Sequence, residues 1–327
     1  MKLTFEQIES ITLGAVRVWE QADSVWFSRF TQEQMDMYRI KSEHYIRRAH
    51  ATAGIQFAFR TNSTRLSLRI RPTLGSSWEQ FVMEVHKDGK PLGAIESKPE
   101  GWLLGFSGEF ALGEGEKLIK VYFPWPVGIR VEEFSLDDGA TVIPVRPSKK
   151  LLMYGDSITQ GYIAQHPSMR YGTKLAEFLD AEENNRAIGG ELFHASLADL
   201  EEPVKPDYIT IAYGTNDWHS TTQEPFRKES RAFIRKISEK NPQAQIFVLT
   251  PVWRKDWQAE MPFGPFEDVE KCIREACEGL PNVILVRGFD FVPKDESYFA
   301  DLRLHPNEKG FACYAESLCR EIGKKIR

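Results

Sequence analysis

The sequence predicts two domains: an all-β sandwich of jelly-roll-like type over residues 1–146, then an α/β domain with a parallel sheet between helical layers over residues 147–327. Three observations predict this. The chain has 327 residues, enough for two cores at roughly 150 residues per domain. Short alternating segments fill its first part, whereas apolar strand-like runs separated by helical periods fill the second. Between the two, Pro144-Val145-Arg146-Pro147-Ser148 reads as an extended connection, because prolines lack the N–H that a central strand must donate.

Composition narrows the class further. Hydrophobic residues at 42% and charged residues at 27% fit a soluble folded chain and exclude a disordered or fibrous one. The net charge of −5, with no basic stripe, excludes nucleic acid as an expected partner. No apolar run approaches the 18 or so residues of a spanning helix, so no membrane partner is expected. Glu6 and Glu9 interrupt the stretch where a secretory signal would be apolar, and the expected location is the cytoplasm. Cys272, Cys277, Cys313 and Cys319 match neither C-x-x-C nor a zinc pattern and read as reduced thiols.

In the first domain, residues 54–71 alternate apolar and polar positions on either side of Thr61-Asn62-Ser63, the pattern of a hairpin. Residues 81–95 place Asp88-Gly89 between two alternating runs; a type I′ turn needs positive φ at both central residues, which Asp-Gly tolerates, so a second hairpin is expected. Residues 118–123 and 128–136 add strands on either side of Pro124-Trp125-Pro126. Strands spaced by about ten residues point to a sandwich. Residues 31–50 fit no strand pattern and are expected as a long excursion with a helical turn.

In the second domain, residues 151–154, 208–213, 245–250 and 283–286 read as short strands, and residues 168–179, 224–239, 266–279 and 307–325 as helices. Such alternation builds a mainly parallel sheet covered on both faces. Ligands of these sheets bind beyond the carboxyl ends of the strands, so the residues after each strand are the candidates for chemistry. The first strand leads to Gly155-Asp156-Ser157-Ile158-Thr159, a second to Ile188-Gly189-Gly190-Glu191, and a third to Gly214-Thr215-Asn216-Asp217. Near the C-terminus stands Asp301-Leu302-Arg303-Leu304-His305-Pro306-Asn307.

A serine hydroxyl is a poor nucleophile until a base takes its proton, and an imidazole suits that task at neutral pH. Ser157 and His305 fit the two roles. Asn216 offers an amide that donates without titrating, and a glycine admits close approach because it has no Cβ. Taken together and in this order, the four blocks resemble those of the SGNH (GDSL-type) hydrolase family over residues 150–327, in the form that carries an N-terminal β-sandwich. The resemblance implies a flavodoxin-like α/β/α domain in which Ser157 is the nucleophile, His305 the base and Asp301 the acid that orients the imidazole. It also implies an oxyanion hole made by the backbone N–H of Ser157, that of Gly190 and the side chain of Asn216, with Gly189 as the neighbouring alternative. One departure stands out: the family spaces its acid D-x-x-H, whereas Asp301 lies four residues before His305.

Trp218, Trp253 and Trp257 follow strand ends and His219 follows the Asn216 block, so all four are candidates for substrate binding. Asn307 is placed to cap the last helix. The expected function is a serine esterase that hydrolyses a short acyl ester, acetyl first, of a carbohydrate or another small alcohol through an acyl-enzyme. No metal or organic cofactor is implied. Acyl transfer to an alcohol would use the same residues. A non-catalytic carbohydrate-binding protein is the remaining alternative, against which the intact set of Ser157, Gly190, Asn216 and His305 argues.

Overall fold

The computed structural model describes residues 1–76, 80–98 and 105–326. They divide into two units, Met1–Ser148 with Gln165–Ser168, and Lys149–Ala164 with Met169–Arg327.

Two antiparallel sheets form the first unit. One runs Thr12–Leu13, Gln56–Thr61, Lys117–Tyr122, Val82–Lys87, Lys90–Glu96, with Ile143–Pro144 also paired to Gln56–Thr61; the other runs Arg17–Gln21, Ser24–Ser28, Val127–Leu136, Arg65–Gly75, Phe106–Ala111. The two-residue period of a strand sorts the side chains: Leu66, Leu68 and Ile70 are fully buried, while Arg65 and Arg69 face solvent. Phe57 and Phe59 of the first sheet meet Phe134 of the second at ring distances of 5.4 and 5.8 Å, closing a sandwich core. Each such buried side chain contributes about 1.5–3 kcal/mol.

Asp88 and Gly89 adopt φ of 49° and 78° in a two-residue turn, with Lys87 paired to Lys90, as expected of a hairpin. The other expected hairpin is a correction. Gln56–Thr61 and Arg65–Gly75 belong to different sheets, so residues 62–64 turn a corner across the sandwich. Asp137 holds that corner, its Oδ2 accepting the Thr64 N–H at 2.6 Å, the Thr64 hydroxyl at 2.7 Å and the Ser63 hydroxyl at 3.1 Å. The excursion expected over residues 31–50 is two helices, Gln32–Lys41 and Glu43–Ala49. Thr31 and Gln34 close a capping box on the first of them, as Thr4 and Gln7 do on Phe5–Ile11. The expected connection begins as an edge strand, with Pro144 opposite Phe59 and the Val145 N–H donating to the Ala58 carbonyl at 3.0 Å.

Among its described residues the second unit holds a parallel sheet in the order Ala181–Asn185, Lys149–Gly155, Tyr208–Ala212, Gln245–Leu249, Val283–Val286. In chain order this is 2-1-3-4-5, the flavodoxin-like arrangement. Helix Tyr171–Phe178 packs with Glu308–Gly323, and Gln223–Lys240 with Glu267–Cys277. The second strand, Ala-Glu-Glu-Asn-Asn, has no apolar signature, yet Glu183, Asn184 and Asn185 are buried. Neighbours satisfy it: Arg170 grips Glu183 through two hydrogen bonds of 2.9 Å, and Asn185 Nδ2 donates to Glu183 at 3.0 Å and to the Thr159 carbonyl at 2.9 Å. Among the described residues no helix is long and apolar enough to cross a membrane.

Candidate active site

The strand order reverses at Lys149–Gly155, whose neighbours lead away in opposite directions, and ligands of such sheets bind in the crevice at that point. Ser157 stands there, at the start of the short helix Ser157–Gln160. A Cβ on Gly155 would lie 2.2 Å from Thr159 Oγ1 and 3.0 Å from the Ala212 carbonyl oxygen, so the tight passage from strand to helix requires glycine. Asp156 caps the helix, its Oδ1 accepting the Ile158 N–H at 3.0 Å. Gly161 ends it with a left-handed φ of 101°, where a Cβ would sit 2.0 Å from Arg170 Cδ. The bond from Asn185 to the Thr159 carbonyl and the Arg170–Glu183 pair brace the same turn from below.

Ser157 Oγ lies 2.9 Å from His305 Nε2, and His305 Nδ1 lies 2.7 Å from Asp301 Oδ2. The additional residue between Asp301 and His305 does not swing the carboxylate away. Leu302 takes a left-handed φ of 55°, and the loop wraps around Asp301, whose Oδ1 accepts the N–H groups of Arg303 at 3.0 Å, Leu304 at 2.8 Å and His305 at 3.1 Å. One oxygen therefore builds the loop and the other meets the imidazole. Burial pushes this carboxyl up, but the bonds from the His305 ring and from the Leu304 and His305 N–H groups outweigh it and hold Asp301 well below the usual carboxylate range. Asn307 caps the helix Glu308–Gly323, its Oδ1 accepting the Gly310 N–H at 3.1 Å.

Gln160 pins the second block to the nucleophile helix, its Oε1 accepting the Gly189 N–H at 2.8 Å. Gly189 is buried and Gly190 is exposed at the turn. Asn216 Nδ2 donates to the Glu191 carbonyl at 3.2 Å. An amide carries two such hydrogens, and this bond, which fixes the side chain, uses one of them. Asp217 ties the same two segments, its Oδ1 accepting the Phe193 N–H at 3.0 Å. Replacing Asn216 by Ala should lower kcat by about 10²–10³ with a smaller change in KM, since an oxyanion forms mainly in the transition state. A change confined to KM in steady-state assays would make Asn216 a ground-state binding group.

Two buried carboxyls flank these groups. Burial pushes Asp156 up to about 7 against the opposing Ile158 N–H and Arg254 charge. Burial likewise raises Asp217 to about 7, with the charge of Asp156 adding to it. Acids raised in this way bind protons more tightly folded than unfolded, so their stabilising contribution is full below the ordinary value of 3.8 and is lost as pH rises towards 7. Asp217→Asn removes one of the two titrations, and its urea midpoint should vary less between about pH 5 and about pH 8 than that of the wild type. An unchanged slope would show that Asp217 does not titrate in that window.

The expectations for Trp218 and Trp253 need correction. Trp218 is fully buried, its Nε1 donating to the Gly264 carbonyl at 2.8 Å and its ring 5.0 Å from that of Phe266, so it serves the core and lines no substrate site. Trp253 is only 8% exposed and packs on Phe299 at 5.3 Å. Trp257 is half-buried and, with Gln258, Glu260 and Met261, lines a cleft of about 550 Å³. His219 is exposed at the end of helix Thr215–Ser220 and bonds to none of the residues above. Sequence reasoning missed Gln160, Arg254 and Tyr162, whose ring lies 4.6 Å from the His305 imidazole. Gly161-Tyr162, directly after the serine helix, was the available signal for Tyr162; Gln160 and Arg254 act through distant contacts that leave no local pattern.

Residues 153–313 match the GDSL-like Lipase/Acylhydrolase family. No curated protein sequence matches the chain. Among solved structures it is similar to a salicylyl-acyltransferase from a tetracycline biosynthetic pathway, with 21% identity over 96% of this chain and 94% of that one and a TM-score of 0.80. It is also similar to a Bacteroides ovatus protein described as a GDSL-like lipase (17% identity, 100% and 98% covered, TM-score 0.78) and to a family two carbohydrate esterase from Cellvibrio japonicus (17% identity, 99% and 97% covered, TM-score 0.69). At these identities the likeness is one of fold.

Proposed function

Since residues 153–313 belong to the GDSL-like lipase/acylhydrolase family, we propose that this carboxylic ester hydrolase works through Ser157, His305 and Asp301. Ser157 Oγ attacks the ester carbonyl while His305 Nε2 takes its proton. Asp301 keeps the second ring proton on Nδ1 and so holds the tautomer whose Nε2 accepts. The oxyanion meets the N–H groups of Ser157 and Gly190 and the amide of Asn216. His305 then returns the proton to the departing alcohol. A water molecule, deprotonated by the same nitrogen, attacks the acyl-enzyme and releases the acid and the free serine.

The observation that carries this reading is the unbroken run of hydrogen bonds from Ser157 Oγ through the imidazole to Asp301, at 2.9 and 2.7 Å. A fluorophosphonate probe, which reacts with activated serines, tests it. Labelling at Ser157 is expected; an unlabelled protein, or labelling elsewhere, would overturn it.

The substrate we assign is a short acyl ester, acetyl first, of a carbohydrate or small alcohol. The likeness to a family two carbohydrate esterase supports this class. Activity on nitrophenyl esters should fall as the acyl chain lengthens, and a preference for long chains would exclude it. The likeness to a salicylyl-acyltransferase supports acyl transfer as the second reading, and the product ratio in the presence of an added alcohol separates the two. Free thiols at Cys272, Cys277, Cys313 and Cys319 suit the reducing cytoplasm, where we place the enzyme.

A further inference from the structure

We propose that Arg254 is a positioning residue that holds the oxyanion-donor turn at Thr215-Asn216 and the acid–base loop at Asp301–His305 in one frame, an inference that rests on the esterase reading above. Arg254 follows the fourth strand, Gln245–Leu249, and is only 2% exposed. Its Nη1 donates to the Thr215 carbonyl at 3.0 Å and to Thr215 Oγ1 at 3.2 Å, while Nη2 and Nε grip the Asp256 carboxylate, Nη2 at 2.9 Å. Asp256 Oδ2 also accepts from Arg303 Nη1 at 3.5 Å, and the Lys255 N–H donates to the Arg303 carbonyl at 2.9 Å. Thr215 immediately precedes Asn216, and Arg303 lies between Asp301 and His305. One guanidinium and its carboxylate thus connect the two loops whose relative placement decides where an oxyanion sits with respect to the imidazole.

The third loop feels the same group. The charge of Arg254 opposes the upward push of burial on Asp156, the residue before Ser157. The Trp218 ring, with its centroid 4.9 Å from the guanidinium carbon, gives the cation its floor, which accounts for a fully buried indole next to the Asn216 block. A planar fork with donors in two directions can hold a carbonyl and a carboxylate together; an ammonium on a flexible stem cannot. Burying a cation is costly, and here its donors are spent on the two loops that carry the proposed chemistry.

The experiment measures kcat and KM for a small activated ester, and the rate of fluorophosphonate labelling at Ser157, in the wild type, Arg254→Lys, Arg254→Met and Asp256→Asn, each with and without Asn216→Ala. Arg254→Met should lower kcat by about 10²-fold with KM changed less than about threefold, the effect of a small misplacement of donors. Arg254→Lys should fall between wild type and Arg254→Met, and Asp256→Asn, at a half-buried position, should cost about tenfold in kcat. In the Asn216→Ala background the further loss from Arg254→Met should be smaller than in the wild type, because one of the two groups it places is already gone and only the Asp301–His305 loop remains to be misplaced. Full additivity, or a loss carried by KM alone, would overturn the proposal. Should Arg254→Met not fold, Arg254→Lys and Asp256→Asn decide by the same criteria, and wild-type kcat in both would overturn it. A wild type that takes up no label at Ser157 refutes the esterase reading, whereas a labelled wild type whose Arg254 variants label at the same rate refutes this inference alone.

Discussion

Ser157→Ala is expected to cut kcat for a small activated ester by about 10⁶-fold while leaving the fold intact. Without Oγ, His305 Nε2 has no proton to take and the acyl group has no carrier, so only binding and the oxyanion donors remain to accelerate attack by water. The structural effect is small because a single hydrogen bond at a partly buried position, that of Oγ with His305, contributes about 0.5–1.5 kcal/mol. Thermal unfolding and the steady-state rate together check the claim. A variant that keeps a tenth of the wild-type turnover would remove Ser157 from the chemistry.

Asp301→Asn should be the next most damaging change, with kcat lower by about 10⁴-fold. The wrapped loop makes this a sharp expectation. Asp301 Oδ1 already accepts three backbone N–H groups, so an asparagine must keep its carbonyl oxygen on that side and turn its NH₂ towards His305 Nδ1. An imidazole that accepts at Nδ1 carries its proton on Nε2, the tautomer that cannot take the proton of Ser157. Flipping the amide to repair the tautomer would set a donor against three donors and open the loop. Kinetics with nitrogen-resolved NMR of the histidine ring tests both halves. A loss smaller than about tenfold would reduce the set to Ser157 and His305, oriented by something other than the carboxylate.

The residues of the proposed chemistry are legible because ligands of a parallel sheet collect at strand ends, and each block there is local in sequence. Ser157 and Asn216 each follow a strand whose period is readable, His305 precedes the capped helix Glu308–Gly323, and Asp301 lies within one loop of it. What stayed unread is not local. Alternation reports that Arg65–Gly75 has one buried face, and the apolar run reports that Gln56–Thr61 is buried on nearly every side, but neither says which sheet a strand joins; Asp137, far along the chain, holds the corner between them. Ala181–Asn185 looks like a polar loop because the Arg170 that neutralises Glu183 belongs to another segment. Trp218 is hidden for the opposite reason, since a position beside Asn216 says nothing about the Arg254 and Phe266 that enclose it. The helix after Thr31 is different again. Its Thr31-Gln34 capping box is present in the sequence, but a cap marks where a helix can begin and not how far it runs.

The Glu183–Arg170 pair beneath the nucleophile turn bears on descent as well as on folding. Both side chains are only 2% exposed, so substituting either alone leaves the other charge orphaned in the interior, at about 3–5 kcal/mol, a large share of the roughly 5–15 kcal/mol that keeps a domain folded. Substituting both at once by well-packed apolar residues removes the orphaned charge, at the cost of an acceptor that Asn185 Nδ2 uses now. The charged pair, Glu183 on the strand and Arg170 ahead of helix Tyr171–Phe178, is therefore walled off from an uncharged version by a stability valley that one codon change at a time does not cross. A lineage that inherits the ion pair keeps it for want of a path, even where the destination would serve equally well.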